Sequence, residues 1–443
     1  MKKIFLTLVI MILCALNIQA KSVQKEFAEI IVDSGIRKES ISVSFRDINT
    51  GRVVYALNCK ILMNPASIQK ALTMPAAAQI LGNDYKFATE LYSINDESYL
   101  IKLAGDPYLT YPDLKNLTKN IKRTTKNIYI DDSILDKKFW GEGWQWDDDM
   151  NILMPKFGAY NLDKNIIKLQ IVPSEAGGFA TILNPTQYPL VFINTVTSSN
   201  KTALDIKREP TAANNVLTLS GTVARQTTAY VPSNDIKRYF ETQLTRALGE
   251  NKVYLKNPFF VKQKSENDKF EKNIEHELSF ALNDILKNSN NMSAETVFKL
   301  AGGKFKGETG SDISGIEMFN DFCKKHNIDY SEIKIVDGSG VSKNNLVTAD
   351  FVSNFLYKNK NNEPMKYLPK PGEGTLEQRL LPLKDFLTAK TGTLSNVSSL
   401  AGYLKTKAGN EYSFCIIQND VKLSSSEKKR LEDYIIREAY LRL

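Results

Sequence analysis

Histidine is nearly absent: His276 and His326 are the only two in 443 residues. A zinc site therefore lacks donors, and a Ser-His-Asp triad has little to draw on, so a serine enzyme built from this chain needs another base. Cysteine is scarce too. Of four, Cys14 lies in the apolar leader, leaving Cys59, Cys323 and Cys415, an odd and sparse set that argues against a disulfide framework. Phe322-Cys323 and Phe414-Cys415 read as small buried hydrophobes. Beyond the leader no stretch approaches the roughly 20 apolar residues of a membrane span. Basic residues outnumber acidic ones, 58 Lys and Arg against 50 Asp and Glu. The lysines are scattered rather than interleaved with aromatics in a stripe, which argues against nucleic acid as a partner. The excess reads as ordinary solubility, with attraction to anionic envelope polymers the alternative.

What is present starts with Lys2 and Lys3, an apolar run from Ile4 to Leu16, and Ile18-Gln19-Ala20. This is the pattern of a secretory signal peptide cut after Ala20, which predicts an exported protein of the periplasm or cell envelope. Leu13 stands where a lipoprotein would carry a small residue before Cys14. The remaining length exceeds a usual single core and predicts two or three domains.

The chemistry is placed at Asn64-Pro65-Ala66-Ser67-Ile68-Gln69-Lys70. Pro65 suits a helix start, and Ala71 to Leu81 continues as an apolar run of good helix formers interrupted only by Pro75. Lys70, three residues after Ser67, lies on the same helical face. A lysine amine within reach of a serine hydroxyl can take its proton if burial or a nearby cation keeps the amine neutral. Alone, S-x-x-K is a common tetrapeptide whose default meaning is a solvated helix start.

Along the chain, Val23–Val32 reads as an amphipathic helix, and 41–45 and 53–57 as a hairpin around Asn49-Thr50-Gly51. From about Asn83 to Pro232 the texture changes to short β-like runs, among them 99–103, 127–130, 166–171, 191–196 and 216–220. Helical periodicity returns over Asn234–Leu248, with Gly249 as its cap, then over 278–287 and from Ala294. Phe260–Lys272 is charged and reads as a loop. Strands are predicted at 387–393, 398–404 and 412–417. A last helix, 426–443, has Glu427, Lys428, Arg430 and Arg437 on its polar face; it is expected to pack on the sheet, with peripheral membrane contact the alternative. The class is α+β, an antiparallel sheet flanked by helices with a large β-rich insertion. The boundaries expected are 1–20 for the leader, 21–88 with 232–443 for a discontinuous catalytic domain, 89–173 with 224–231 for an inserted domain, and 174–223 for a nested β-module.

Two further motifs stand downstream: Ser289-Asn290-Asn291 between helical segments, and Lys390-Thr391-Gly392-Thr393 at a strand and its turn. S-x-N alone could be a helix cap and K-T-G a strand-end turn. In this order with S-x-x-K they form the trio of penicillin-binding proteins and class A β-lactamases. The chemistry is acyl transfer: Ser67 attacks a carbonyl, Lys70 accepts its proton as general base, and Ser289 relays that proton to the leaving amine. The Asn291 amide orients Lys70 and the substrate. Lys390 supplies positive charge for a terminal carboxylate, with Thr391 and Thr393 binding the same group and Gly392 allowing close approach. The backbone N–H groups of Ser67 and Thr393 form the oxyanion hole.

On these residues the chain resembles the penicillin-binding protein 4 type of D-alanyl-D-alanine carboxypeptidase/endopeptidase. The match extends to Gly105-Asp106-Pro107, Asp131-Asp132-Ser133, Gly143-Trp144-Gln145-Trp146-Asp147-Asp148, Asp337-Gly338-Ser339-Gly340-Val341-Ser342 and Gly374-Thr375-Leu376 with Arg379. The long interval between Ser67 and Ser289 fits that family's insertion; Asn290 departs from the aspartate often found there. The resemblance implies a penicilloyl-serine transferase (DD-peptidase/β-lactamase-like) fold, removal of the terminal D-Ala from peptidoglycan stem peptides, hydrolysis of D-Ala–diaminopimelate cross-links as a second activity, and covalent capture of β-lactam antibiotics. It implies no cofactor and no metal, and leaves the oligomeric state open. Two rivals remain. A β-lactamase would need a Glu-x-x-Leu-Asn segment, of which Glu241-Thr242-Gln243-Leu244-Thr245 is an incomplete version. A non-catalytic penicillin-sensing or envelope-binding protein would not need Ser67, Lys70, Ser289 and Lys390 all intact.

Overall fold

Side-chain alternation sorts the central sheet into two unlike faces. In the computed structural model, which describes residues 25–208 and 215–443, five antiparallel strands run in the order Leu387–Leu394, Val397–Lys405, Glu411–Asn419, Ile41–Asp47, Val53–Leu57. The leader expected over 1–20 lies outside the described residues. One face presents Ile41, Val43, Phe45, Leu387, Leu400, Phe414 and Ile416 to a core shared with Phe27, Ile31, Leu431, Ile435 and Ile436. Those come from the helix at 25–33 and the C-terminal helix Ser425–Arg442. Each such side chain is worth about 1.5–3 kcal/mol on burial, so this face anchors the fold. The opposite face carries Ser42, Ser44, Ser399, Ala401, Ser413 and Cys415, side chains short enough for helices to approach the backbone closely. Ser44 Oγ and Ser353 Oγ, on helix Ala349–Lys358, are 2.8 Å apart across that contact.

This unit comprises the chain up to Asn83 together with Leu282–Asn290 and Asp312–Leu443. Helix Lys70–Leu81 is buried on nearly every side, as expected of an all-apolar helix inside a core, and continues through Pro75. The C-terminal helix packs on the sheet, but Lys428 is not on its polar face. It is buried, and its Nζ donates to the Asp420 carbonyl at 2.6 Å.

The second unit comprises Asp84–Ala281 and Asn291–Ser311. Its main sheet orders strands Phe260–Val261, Asn127–Asp131, Ser98–Lys102, Lys86–Asn95 and Lys269–Glu277. Smaller sheets follow: Thr227–Pro232, Ile166–Val172 and Thr181–Leu183 form one, and Val191–Asn194, Thr197–Ser198, Ala203–Arg208 and Val216–Val223 another. Three expectations are corrected here. The Phe260–Lys272 loop contains Phe260–Val261 and the start of strand Lys269–Glu277, an edge strand whose polar residues give no apolar alternation to read. Gly249 is not a cap: helix Ile236–Glu250 runs past it and ends at Asn251. Residues 232–281 also fold with this unit rather than with the sheet bearing Lys390, because strand Lys269–Glu277 pairs along Lys86–Asn95. Among the described residues no helix is long and apolar enough to cross a membrane.

Candidate active site

The turn that carries Ser67 is bent into place at Ala66. Its φ of 48° lies in the left-handed region, which costs an alanine on the order of 1 kcal/mol, and the Asn64 side chain accepts its N–H at 2.9 Å. A short 3₁₀ turn, Ala66–Gln69, then leads into helix Lys70–Leu81. The S-x-x-K spacing puts Lys70 Nζ 2.9 Å from Ser67 Oγ, and the same amine donates to the Ser339 carbonyl at 2.7 Å. Lys70 is fully buried, whereas Ser67 is half-buried.

Lys390 is also fully buried, on edge strand Leu387–Leu394, with Nζ donating to the Thr391 carbonyl at 2.9 Å. Burial pushes its amine well below the ordinary lysine value, and the charge of Lys70 adds to the effect. Two sequestered lysines that feel each other favour a state with a single proton between them. Gly392 lies close against the Ser67 turn. A Cβ there would stand 2.9 Å from both the Ser67 nitrogen and the Pro65 carbonyl and would collide with Ser399 Oγ. Ser399, opposite Gly392 in the sheet, donates to the Pro65 carbonyl at 2.6 Å and so ties the strand pair to the Ser67 turn. The strand's outer edge is addressed by alternate residues. Ala389 N–H points outward, to the Pro369 carbonyl at 3.0 Å, and by the two-residue period Thr391 and Thr393 point the same way. Thr391 is nearly buried and Thr393 is exposed.

Ser289 sits in the left-handed conformation (φ 67°, ψ 34°) just after a π-helical turn, Asp284–Asn288, that packs against helix Lys70–Leu81. The turn Gly374–Leu376 packs on that same segment. Asn290 directs its amide to Asp284 Oδ2 at 2.8 Å. Asn291 opens helix Asn291–Lys306 of the second unit, where its amide donates to the Leu153 carbonyl at 2.9 Å. The structure thus gathers Ser67, Lys70, Lys390 and Gly392 directly, and places Ser289 on a turn packed against the same helix. Sequence reasoning missed Ser399, and quoted Ser339 within a motif without giving it a role. Ser339 acts through a backbone carbonyl, which no side-chain pattern announces. Arg379, quoted within a motif, bonds to Glu432 and Asp433 of the C-terminal helix at 2.8 and 2.7 Å.

This arrangement matches a known architecture. Residues 23–439 fit the model of the D-Ala-D-Ala carboxypeptidase 3 (S13) family. The chain belongs to that family. It is similar to the D-alanyl-D-alanine carboxypeptidase DacB of Haemophilus influenzae, 26% identical with 91% of each chain covered. It is also similar to a D-alanyl-D-alanine carboxypeptidase of an Actinomadura species, 25% identical over 89% of this chain and 80% of that one. The crystal structure of penicillin-binding protein 4 from H. influenzae superposes with a TM-score of 0.81 at 23% identity, covering 94% of this chain and 99% of that one. The fold is that of the penicillin-binding, β-lactamase-like serine enzymes, and family membership makes the chain a serine-type peptidase.

Proposed function

We propose that Ser67 is the nucleophile of a D-Ala-D-Ala carboxypeptidase that cuts peptidoglycan stem peptides through an acyl-enzyme. One observation carries the reading: the Lys70 amine, 2.9 Å from Ser67 Oγ, is buried beside a second sequestered lysine, Lys390. Two such amines cannot both be charged cheaply, and in this reading the shared proton rests on Lys390, which faces the substrate carboxylate, when Lys70 acts as the free base. It takes the Ser67 proton as Oγ attacks the carbonyl of the penultimate D-Ala. The tetrahedral oxyanion is held by the N–H groups of Ser67 and Thr393, a reading supported by the close approach of Gly392 to the Ser67 nitrogen. Collapse breaks the C–N bond, and Ser289 passes the proton to the departing amine of the terminal D-Ala. Lys390, Thr391 and Thr393 bind that residue's carboxylate, and water then hydrolyses the ester; the Asn291 amide, turned to the Leu153 carbonyl, is given no part in the step.

The same site would be acylated by β-lactams; the H. influenzae protein has been solved in complex with one. The first unit is the catalytic domain in this proposal, and the leader of 1–20 directs export to the cell envelope. The test is digestion of purified muropeptides and sacculi with products identified by mass spectrometry. Release of D-Ala from pentapeptides supports the reading, and loss of cross-linked dimers would add the endopeptidase activity. Intact substrate after prolonged incubation would favour a non-catalytic binder.

A further inference from the structure

The loop from Asp337 to Ser342 lines three consecutive backbone carbonyls along one turn of the helix that carries the nucleophile. Gln69 Nε2 donates to the Asp337 carbonyl, Thr73 Oγ1 to that of Gly338 at 2.7 Å, and Lys70 Nζ to that of Ser339 at 2.7 Å. Asp337 shapes the loop from within. Its Oδ1 accepts from Gly340 N at 2.8 Å, Asn345 Nδ2 at 2.8 Å and Gln69 Nε2 at 3.1 Å, while its Oδ2 accepts from Ser342 N at 2.7 Å. Asp337, Ser339, Ser342 and Asn345 are all fully buried. Gly340 turns the chain with φ +84°, and any Cβ there would collide with the Ala66 carbonyl. The loop is therefore seated directly on the Ser67 turn, and its carboxylate has no role in the chemistry described above.

We infer that Asp337 is a positioning residue for acyl transfer: by fixing the Ser339 carbonyl on the Lys70 amine, it aims the amine's lone pair at Ser67 Oγ. A neutral amine has two N–H donors and one lone pair. With one N–H committed to Ser339, rotation about the Cε–Nζ bond is restrained and the lone pair can be held on the serine proton. When that proton moves from Oγ to Nζ as the Oγ–carbonyl bond forms, the same carbonyl accepts from the new ammonium. Lys390, from the edge strand, bears on Lys70 by its charge, and the Asp337 carboxylate reaches the helix through its bond from Gln69 Nε2. The inference rests on the reading of Ser67 and Lys70 as nucleophile and base.

The test is Asp337→Asn, which keeps the shape but leaves Ser342 N or Gly340 N without its charged acceptor. Acylation by a chromogenic cephalosporin is followed from pH 5 to 10 and normalised to titrated active sites. Wild-type labelling at Ser67, checked in the same series by mass spectrometry, tests the functional reading separately. The expected result is a fall in the plateau rate of about 10²-fold, the scale of a misplaced catalytic group. The acid limb should also move to lower pH, because the ammonium form loses a held acceptor while free amine is the reactive form. A plateau and acid limb matching wild type, with only a lower melting temperature, would overturn the inference. Thr73→Val, which deletes one loop contact and keeps the helix, decides the matter if Asp337→Asn does not fold. A several-fold fall with the same displacement is expected, and an unchanged profile per active site overturns the inference.

Discussion

Gly392 lies so close to Ser67 that a methyl group on its Cα would stand 2.9 Å from the Ser67 amide nitrogen. The close approach brings the backbone of an edge strand against the Ser67 N–H, the geometry needed if both are to bind one developing oxyanion. Gly392→Ala should cut the acylation rate by about 10²–10³-fold, the scale of one lost oxyanion donor. The fold should survive, with a penalty of about 1–3 kcal/mol for overpacking against Ser399 and Pro65. Stopped-flow acylation together with thermal melts checks both halves.

Lys390 should be a residue that costs stability to keep. Its amine is fully buried and pushed well below the ordinary lysine value, so the unfolded chain binds more protons than the folded one between the two values. Stability from this residue therefore rises with pH across that window and is lowest below it. Lys390→Met should stabilise the fold and raise the melting midpoint at neutral pH, while abolishing turnover of D-Ala-D-Ala peptides. The stability gain should shrink as pH approaches 10. Parallel melts at pH 7 and pH 10 measure it.

His276 gives the opposite sign. Its Nδ1 lies 2.6 Å from Asp106 Oδ2, and that bond raises its value above the ordinary histidine range. The stabilisation is fully present below about pH 6.5 and is lost as pH climbs through the raised folded value. Relative to His276→Gln, wild type should gain stability at pH 6 and lose that advantage by pH 8.5. An unchanged pH dependence in the variant would remove His276 as its source.

Much of this was legible in the residues. The three strands ending in the K-T-G segment alternate cleanly because one sheet face is buried against Leu431 and Ile435 while the other is built of small residues. The Ser67–Lys70 pair follows from helical spacing alone. Strand Lys269–Glu277 was hidden because an edge strand needs no apolar stripe. The Ser339 contact was hidden because a carbonyl has no signature in the sequence. Lys428 was misplaced because periodicity cannot distinguish an exposed lysine from one whose amine is satisfied by a buried carbonyl.

Arg379 marks where the C-terminal helix is locked to the rest of the first unit. It pairs with Glu432, a fully buried carboxylate whose value burial raises and Arg379 lowers, and which also accepts from Ser398 Oγ at 2.6 Å. Arg379→Ala would leave that carboxylate without its cation and should cost about 3–5 kcal/mol. Urea denaturation should show a lower midpoint with little change in slope, and the acylation rate per folded molecule should be preserved.

The most direct measurement is intact-mass and peptide-level analysis of the purified protein after brief exposure to benzylpenicillin. A single penicilloyl adduct on Ser67, absent from folded Ser67→Ala, is the predicted result. An adduct on another residue, or none on wild type at saturating drug, would contradict the assignment of Ser67 and Lys70 as the reacting pair.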